Sequence, residues 1–228
     1  VIARTQGMGS QAQDIAEQLA DELKLTTLQH EVAERVADKM HVSKSLINRL
    51  RGGKAGLIEG LRAGTLAPYL GPLVLGLCPA VPVPATPLDL ATFLNAKTSV
   101  PGKIRNRLTA VAQFIENFKH RKTLVTAMNE AFAPMPSPSP LHRWLASLPA
   151  PLIVDTWYDD TMRGALAGRA DWAEVQGLSQ SEHFGTWVGW YTSSGEVSPD
   201  PIETTTVLYK PWGAHGPASN YLVSDTDY

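Results

Sequence analysis

Apolar positions recur with helical spacing through the first fifty residues. Ala12, Ile15, Ala16, Leu19 and Leu23 form one stripe behind Ser10 and Gln13, which fit a capping box, and they predict a helix over 10–25. Val32, Val36 and Met40 recur every fourth residue behind a second box that opens at Thr26-Thr27. Leu46, Ile47 and Leu50 follow the capping Ser43, and Gly52-Gly53 ends that run. Ala55–Ala63 predicts one more short helix, stopped by Gly64. The pattern then changes. LAPYLGPLVLGL, residues 66–77, reads as a strand, a tight turn at Gly71 and the start of an apolar helix. After the proline-rich residues 78–87, helices are expected to start at Thr86-Pro87 and at Pro101, the second with Ile104, Leu108, Val111, Ile115 and Phe118 in helical period. Its end, Phe118-Lys119-His120-Arg121-Lys122, reads as a solvated basic junction or an anion contact. Leu124–Phe132 and Leu141–Leu148 predict two further helices, parted by a loop with prolines at 134, 136, 138 and 140.

The second half is organised around PLIVDTWYDDTMR, residues 151–163. Its apolar start reads as a short buried strand. Asp155, Asp159 and Asp160 fall where that strand turns into a helix that continues through Met162–Leu166. Residues 169–203 read as irregular, with Trp172, Trp187, Trp190 and Tyr191 either packing a flap or lining a pocket. Thr204–Tyr209 is β-branched and aromatic and predicts another strand. Helices alternating with short apolar strands predict an α/β body over 55–228 with a parallel sheet, preceded by a small all-helical segment over 1–54. Ligands of such sheets bind beyond the carboxyl ends of the strands, so a site is expected at Asp155–Asp160.

Composition narrows the function classes. The chain has 228 residues, 43% hydrophobic and 18% charged, which suits an ordinary globular protein with a real core. A net charge of −2 gives no whole-molecule attraction to nucleic acid or anionic membrane. No apolar run approaches the ~18–20 residues of a membrane span, and the first residues lack a signal-peptide core, so a cytoplasmic protein with no membrane partner is expected. The lone Cys78 excludes an internal disulfide and any multi-cysteine zinc site.

Local charge opens a second possibility. EVAERVADKMHVSKSLINRL, residues 31–50, resembles a helix-turn-helix, with Ala37 as the small packing residue and Val42 and Ile47 as core positions; His41 stands where that motif usually has glycine. Lys44, Ser45, Asn48 and Arg49 would face DNA, within a stretch 27–54 whose last helix carries no acid between Lys44 and Lys54. The alternative is a helical hairpin with a solvated basic face.

Two later stretches resemble the SIR2-like superfamily, in its divergent bacterial form. PSPLHRWLASLPAPLIVDTWYDDTMRGAL resembles the family's helix–strand–turn segment with its TNYD turn, and VLYKPWGAHGPASNYLVSDTDY resembles its later KLHG segment. LAPYLGP lies where the family carries a glycine-rich GAGxS loop. Order and rough spacing agree over about residues 60–228. The resemblance implies a Rossmann-like parallel sheet flanked by helices, with NAD as cofactor. In active relatives the TNYD asparagine and aspartate hold the nicotinamide ribose and the KLHG histidine is the base for cleaving the nicotinamide bond, in protein deacylation or NAD hydrolysis. In this chain Trp157 stands at the asparagine, Asp159 matches the aspartate and Trp212 stands at the histidine. An indole N–H donates a hydrogen bond but takes up no proton, so Trp212 is not a general base.

The resemblance leaves Asp159 and His215 as catalytic candidates, and Asp155 joins them because an aspartate at a strand end with two more carboxylates nearby could have a raised pKa; a helix N-cap role for Asp159 or Asp155 is the plain alternative. The resemblance places Gly71 at the pyrophosphate, Thr156 and Asp159 at the ribose, and Gly213 and Ser219 in the last loop of the cofactor site. One cysteine cannot build the four-cysteine zinc module of the classical deacylases. The family continues past its DY with another strand, so a body cut short at its C-terminal end is expected. A homo-oligomer is compatible with all of these readings. The two expectations carried forward are an NAD-binding protein with doubtful turnover and a DNA-associated regulator.

Overall fold

The structure is a computed structural model that describes residues 56–227. The helices expected over 10–50, and with them Lys44, Ser45, Asn48 and Arg49, lie outside the described residues. The unit that holds nearly all of the described residues is Ile58–Tyr228.

A helix over 56–62 leads into β1 (Tyr69–Leu70) and a 3-10 turn, Pro72–Leu77. Four helices follow: α1 (Pro87–Lys97), α2 (Leu108–Lys119), α3 (Arg121–Phe132) and α4 (Pro140–Ala146). Then come β2 (Leu152–Asp155), α5 (Thr161–Leu166), β3 (Trp172–Gly177), β4 (Val188–Thr192), β5 (Val197–Ser198) and β6 (Thr206–Lys210). A small hairpin, β7 (Gly213–Ala214) with β8 (Asn220–Tyr221), and a 3-10 turn at Asp225–Asp227 close the described chain. The helix starts follow local chemistry. Thr86 accepts from the Asp89 N–H at the head of α1, and Ser139 with His142 forms a capping box at the head of α4.

The main sheet has the order β1-β2-β6-β3-β4-β5. Its first four strands run parallel, and β4 and β5 extend it as antiparallel neighbours. The fold is therefore α/β with a mostly parallel mixed sheet. Register sorts the side chains. Leu70 pairs with Asp155, Ile153 with Leu208, Leu208 with Glu174, and Glu174 with Tyr191. This face is buried; Leu70, Ile153, Leu208 and Trp172 pack there with α4 and α5. On the opposite face Val154, Val207 and Tyr209 are half-buried. A second core joins α1, α2 and α3 to Trp157, Tyr158, Tyr221 and Val223, so the helices between β1 and β2 pack on the residues that follow the strand ends.

Three expectations are corrected. Residues 169–203 are not irregular, because β3, β4 and β5 lie among them. All six residues of β3 are buried, and its inward positions include Glu174 and Gln176, which break the apolar alternation that marks a strand. The helix expected from Pro101 begins at Leu108 instead. Residues 101–107 form a turn held by the Asn95 amide, which donates to Arg105 O at 2.8 Å, and by Arg105 Nε, which donates to Val100 O at 3.2 Å. The 118–122 junction is not simply solvated. Arg121 donates to Glu182 at 3.1 Å, to Tyr221 O at 2.6 Å and to Asp227, and so ties the end of the described chain to α3.

The register makes a testable contrast. Ile153→Ala removes a fully buried side chain and is expected to cost about 2–5 kcal/mol in urea unfolding. Val154→Ala, on the half-buried face, is expected to cost about 1 kcal/mol or less. Equal losses would contradict the assigned faces.

Candidate functional site

The carboxyl ends of β2 and β6 meet in a buried ion pair. One residue beyond the paired Val154 and Tyr209, Lys210 Nζ lies 2.7 Å from Asp155 Oδ2. The same ammonium donates to Asp159 O at 2.8 Å, so the turn after β2 folds back over it. Asp155 Oδ1 accepts from Trp157 N at 3.2 Å. Burial is the strongest influence on Asp155 and lifts its carboxyl to about 6 against the pull of Lys210. Burial alone would lower Lys210, but Asp155 and Asp159 together hold it above the ordinary lysine value.

The turn is fixed on each side. Thr156 donates through both N and Oγ1 to Leu70 O, at 2.9 and 2.8 Å, which binds it to β1. The Trp157 indole donates to Pro84 O at 2.8 Å and meets Phe132 edge-on with ring centres 6.0 Å apart. Tyr158 packs on Trp157, Phe132 and Tyr221, and its hydroxyl donates to Leu222 O at 2.8 Å. Asp159 Oδ1 accepts from Thr161 N at 2.9 Å, just ahead of α5.

The β7–β8 hairpin docks beside this turn. His215 N donates to Tyr158 O at 2.9 Å, and Gly216 N donates to Asp160 Oδ1 at 3.1 Å. His215 Nδ1 lies 3.2 Å from Tyr221 Oη, whose proton goes to Asn129 Oδ1 at 2.7 Å. With the phenol proton directed to Asn129, the phenol oxygen can accept a hydrogen bond from Nδ1–H, and that tautomer would leave His215 Nε2 as an acceptor. Burial, with the nearby Asp160 charge, raises the Tyr221 phenol well above its ordinary value and keeps it neutral. A second network underlies the hairpin. Gln176 Nε2 donates to Glu174 Oε1 and to Gly216 O, each at 2.6 Å, and Gln176 Oε1 accepts from Asn220 at 2.9 Å. Glu174, raised by burial against the pull of Arg163, accepts from Arg163 Nε at 2.8 Å.

The expected site residues divide accordingly. Asp155, Thr156 and Asp159 come together at the strand ends, and His215 joins them through its backbone contact with Tyr158. The N-cap of α5 is Asp160, whose side chain makes no capping bond, so neither Asp159 nor Asp155 is the helix N-cap expected as the plain alternative; Asp159 Oδ1 instead accepts from Thr161 N in an Asx-type turn. Gly71 sits in the turn directly after β1, and a Cβ built on it meets nothing within 4 Å. Gly213 serves the hairpin. Its φ is 75°, and a Cβ there would come within 2.2 Å of Asn220 O. Ser219 is exposed, and its hydroxyl donates to His215 O at 3.4 Å. Sequence reading missed Lys210, Glu174, Gln176 and Asn220. A signal was present for the first: Thr206, Leu208 and Lys210 share one parity of a β-branched strand, so a buried leucine predicts a buried lysine two positions on.

Chemically, the arrangement is largely satisfied. Asp155 is matched to an ammonium, and the Trp157 indole already has its acceptor. Half-buried Asp160 and His215 keep acceptor capacity. Among the described residues no group of three or more His, Cys, Asp and Glu stands where it could hold a metal ion, and no helix is long and apolar enough to cross a membrane. A groove of about 400 Å³ lies at the other end of β3 and β6, away from this cluster. No protein-family model matches the chain, and no curated protein matches it.

Lys210→Met leaves Asp155 buried without its counter-charge and is expected to cost about 3–5 kcal/mol by chemical denaturation. In the double variant with Asp155→Asn, much of that loss should return. The pH dependence has a definite sign. Because the folded Asp155 value of about 6 lies above the unfolded ~4, the folded state binds the proton more tightly, and this group's contribution declines as pH rises from ~4 through ~6. Asp155→Asn should flatten that decline; an unchanged slope would show that Asp155 does not titrate in that range.

Proposed function

We propose that the body is a SIR2-like, Rossmann-like domain that binds NAD without cleaving it. One observation carries the reading. The three segments that resemble the family, at Gly71, at Asp155–Asp160 and at Trp212–His215, follow β1, β2 and β6, which are parallel neighbours in the sheet. All three therefore leave the sheet at one end, where α/β folds bind ligands. Open space at Gly71 suits a pyrophosphate, and Asp160 and His215 offer hydrogen-bond acceptors for a ribose.

Turnover is disfavoured by the same geometry. Trp157 replaces a ribose-holding amide with a ring packed on Phe132 and Tyr158. Trp212 takes up no proton. Asp155 is bound to Lys210, so activating a nucleophile through it would mean breaking a buried ion pair. His215 Nε2 is the remaining acceptor, and it is displaced by three residues from the position that the resemblance assigns to the base.

Calorimetry of the full chain with NAD is expected to show binding, and the same sample should release no nicotinamide over hours. Gly71→Val separates the phosphate turn from the fold. Gly71 has an ordinary φ of −105° and free space at its Cβ, so the variant should fold normally yet bind NAD at least about tenfold more weakly. Absence of NAD binding by the wild type, or equal binding by Gly71→Val, would overturn the proposal. Nicotinamide release that disappears in His215→Ala would replace it with an active hydrolase.

A further inference from the structure

The imidazole that the hairpin brings to the carboxyl end of the sheet is governed by a residue outside the candidate site. Asn129 lies on α3, and its Oδ1 is 2.7 Å from Tyr221 Oη of β8. On the other side of that phenol oxygen, at 3.2 Å, lies His215 Nδ1. The line Asn129–Tyr221–His215 therefore runs from the helical layer to the loop between β7 and β8. Its middle member is fixed by packing: Tyr221 is fully buried, and its ring meets Tyr158 edge-on with centres 5.9 Å apart. The histidine is fixed through the backbone, since His215 N donates to Tyr158 O at 2.9 Å and Gly216 N donates to Asp160 Oδ1 at 3.1 Å.

A phenol carries one proton, and burial with the Asp160 charge nearby keeps it on the oxygen. A carbonyl oxygen only accepts, so the short contact with Asn129 uses that proton. The phenol oxygen is then an acceptor toward the hairpin. An imidazole nitrogen bonds to an acceptor only as N–H, and a neutral imidazole has one N–H. We infer that Asn129, acting through Tyr221, holds His215 in the Nδ1–H tautomer, so that Nε2 accepts from a ligand hydroxyl or N–H and offers nothing to a phosphate or carboxylate.

Asn129 and Tyr221 are thus positioning residues. The neighbouring Asp160 carboxylate also only accepts, so the hairpin end of the site selects hydroxyl-bearing groups and turns anions away. The open space at Gly71 lies in a different turn, which leaves the anionic part of a ligand to that end. The ligand side of this assignment rests on the proposed NAD reading; the tautomer follows from contacts within the chain.

Nitrogen-15 NMR of the full chain decides the tautomer. Spectra are taken at about pH 8.5, where an ordinary histidine is neutral, and His215→Gln assigns the signal. The wild type is expected to carry the proton on Nδ1. Asn129→Asp keeps an acceptor-only oxygen and should keep that form. Asn129→Leu removes the acceptor, leaves His215 Nδ1 as the partner of the phenol proton and should move the imidazole proton to Nε2. Asn129 is half-buried in a helix, where leucine is a good helix former, so this variant should fold, as near-ultraviolet circular dichroism checks. NAD affinity by calorimetry should follow the tautomer, close to wild type in Asn129→Asp and at least about tenfold weaker in Asn129→Leu. An Nε2–H imidazole in the wild type would overturn the inference, because Asn129 would then present its amide nitrogen and the phenol would donate to His215. So would an Asn129→Leu protein that stays Nδ1–H, or one that changes tautomer and binds NAD as before. A wild type that binds no NAD would overturn the proposed function and the ligand with it, whereas the NMR result alone decides the roles of Asn129 and Tyr221.

Discussion

The pair formed by Lys210 and Asp155 is the constraint on which the carboxyl end of the sheet depends. Moving either ion out of water costs several kcal/mol, and the attraction between them offsets this only when the remaining donors are also used. Lys210 meets that condition by donating to Asp159 O as well as to Asp155. The second bond has a structural consequence. It draws the chain after β2 back over the strand end, so the path of Trp157, Tyr158 and Asp159 is set by an ammonium that belongs to a strand fifty residues later. The bond from Thr161 N to Asp159 Oδ1, just ahead of α5, follows from that path.

Once the turn is fixed, its two aromatics bind the layers together. Trp157 and Tyr158 point into the core formed by α1, α2 and α3, and Tyr158 also touches Tyr221 of the last hairpin. The hairpin is held from three sides: by Asn129 of α3 through Tyr221, by Gln176 of β3 through Asn220, and by Asp160 through Gly216 N. Gln176 uses its amide in both directions, donating to Glu174 and Gly216 while accepting from Asn220. A buried network of this kind fixes geometry only when every member is satisfied, and this one largely is. Arg163 Nη2 and Thr161 Oγ1 are the nearby buried atoms without partners.

What could be read from the sequence follows this division. β2 was legible because Leu152, Ile153 and Val154 form a short apolar run between a proline and an acidic turn, and α1 was legible from Thr86-Pro87. β3 was not, since Glu174 and Gln176 occupy its inward positions, and their suitability depends on Arg163 and Asn220, which lie elsewhere in the chain. The start of α2 was misplaced because Pro101 satisfies the local rule for a first helical residue, whereas the turn over 101–107 is set by Asn95 and Val100 of the preceding segment. Of the candidate site, Asp155, Thr156 and Asp159 were legible as a strand-end cluster. Lys210 was passed over because a lysine ahead of a proline looks like the solvated end of a strand. For Glu174 and Gln176 the local pattern was overruled by partners distant in sequence.

The raised carboxyl of Asp155 needs care for the same reason. A carboxylate lifted to about 6 at a strand end has the outward signature of a general base. A working base, however, must exchange its proton with substrate, so the group that balances its charge has to tolerate the change. Protonating Asp155 would leave Lys210 buried with only a carbonyl and more distant charges to compensate it. Releasing Asp155 from Lys210 would also loosen the turn that shapes the site. A group that holds the turn in place cannot readily leave it during each turnover. His215 is different: its backbone is anchored to Tyr158, but its ring is only half-buried and Nε2 is unencumbered by the tyrosine contact. In the proposed reading the aspartate in the strand is an anchor, and the imidazole on the hairpin is the group left to meet a ligand.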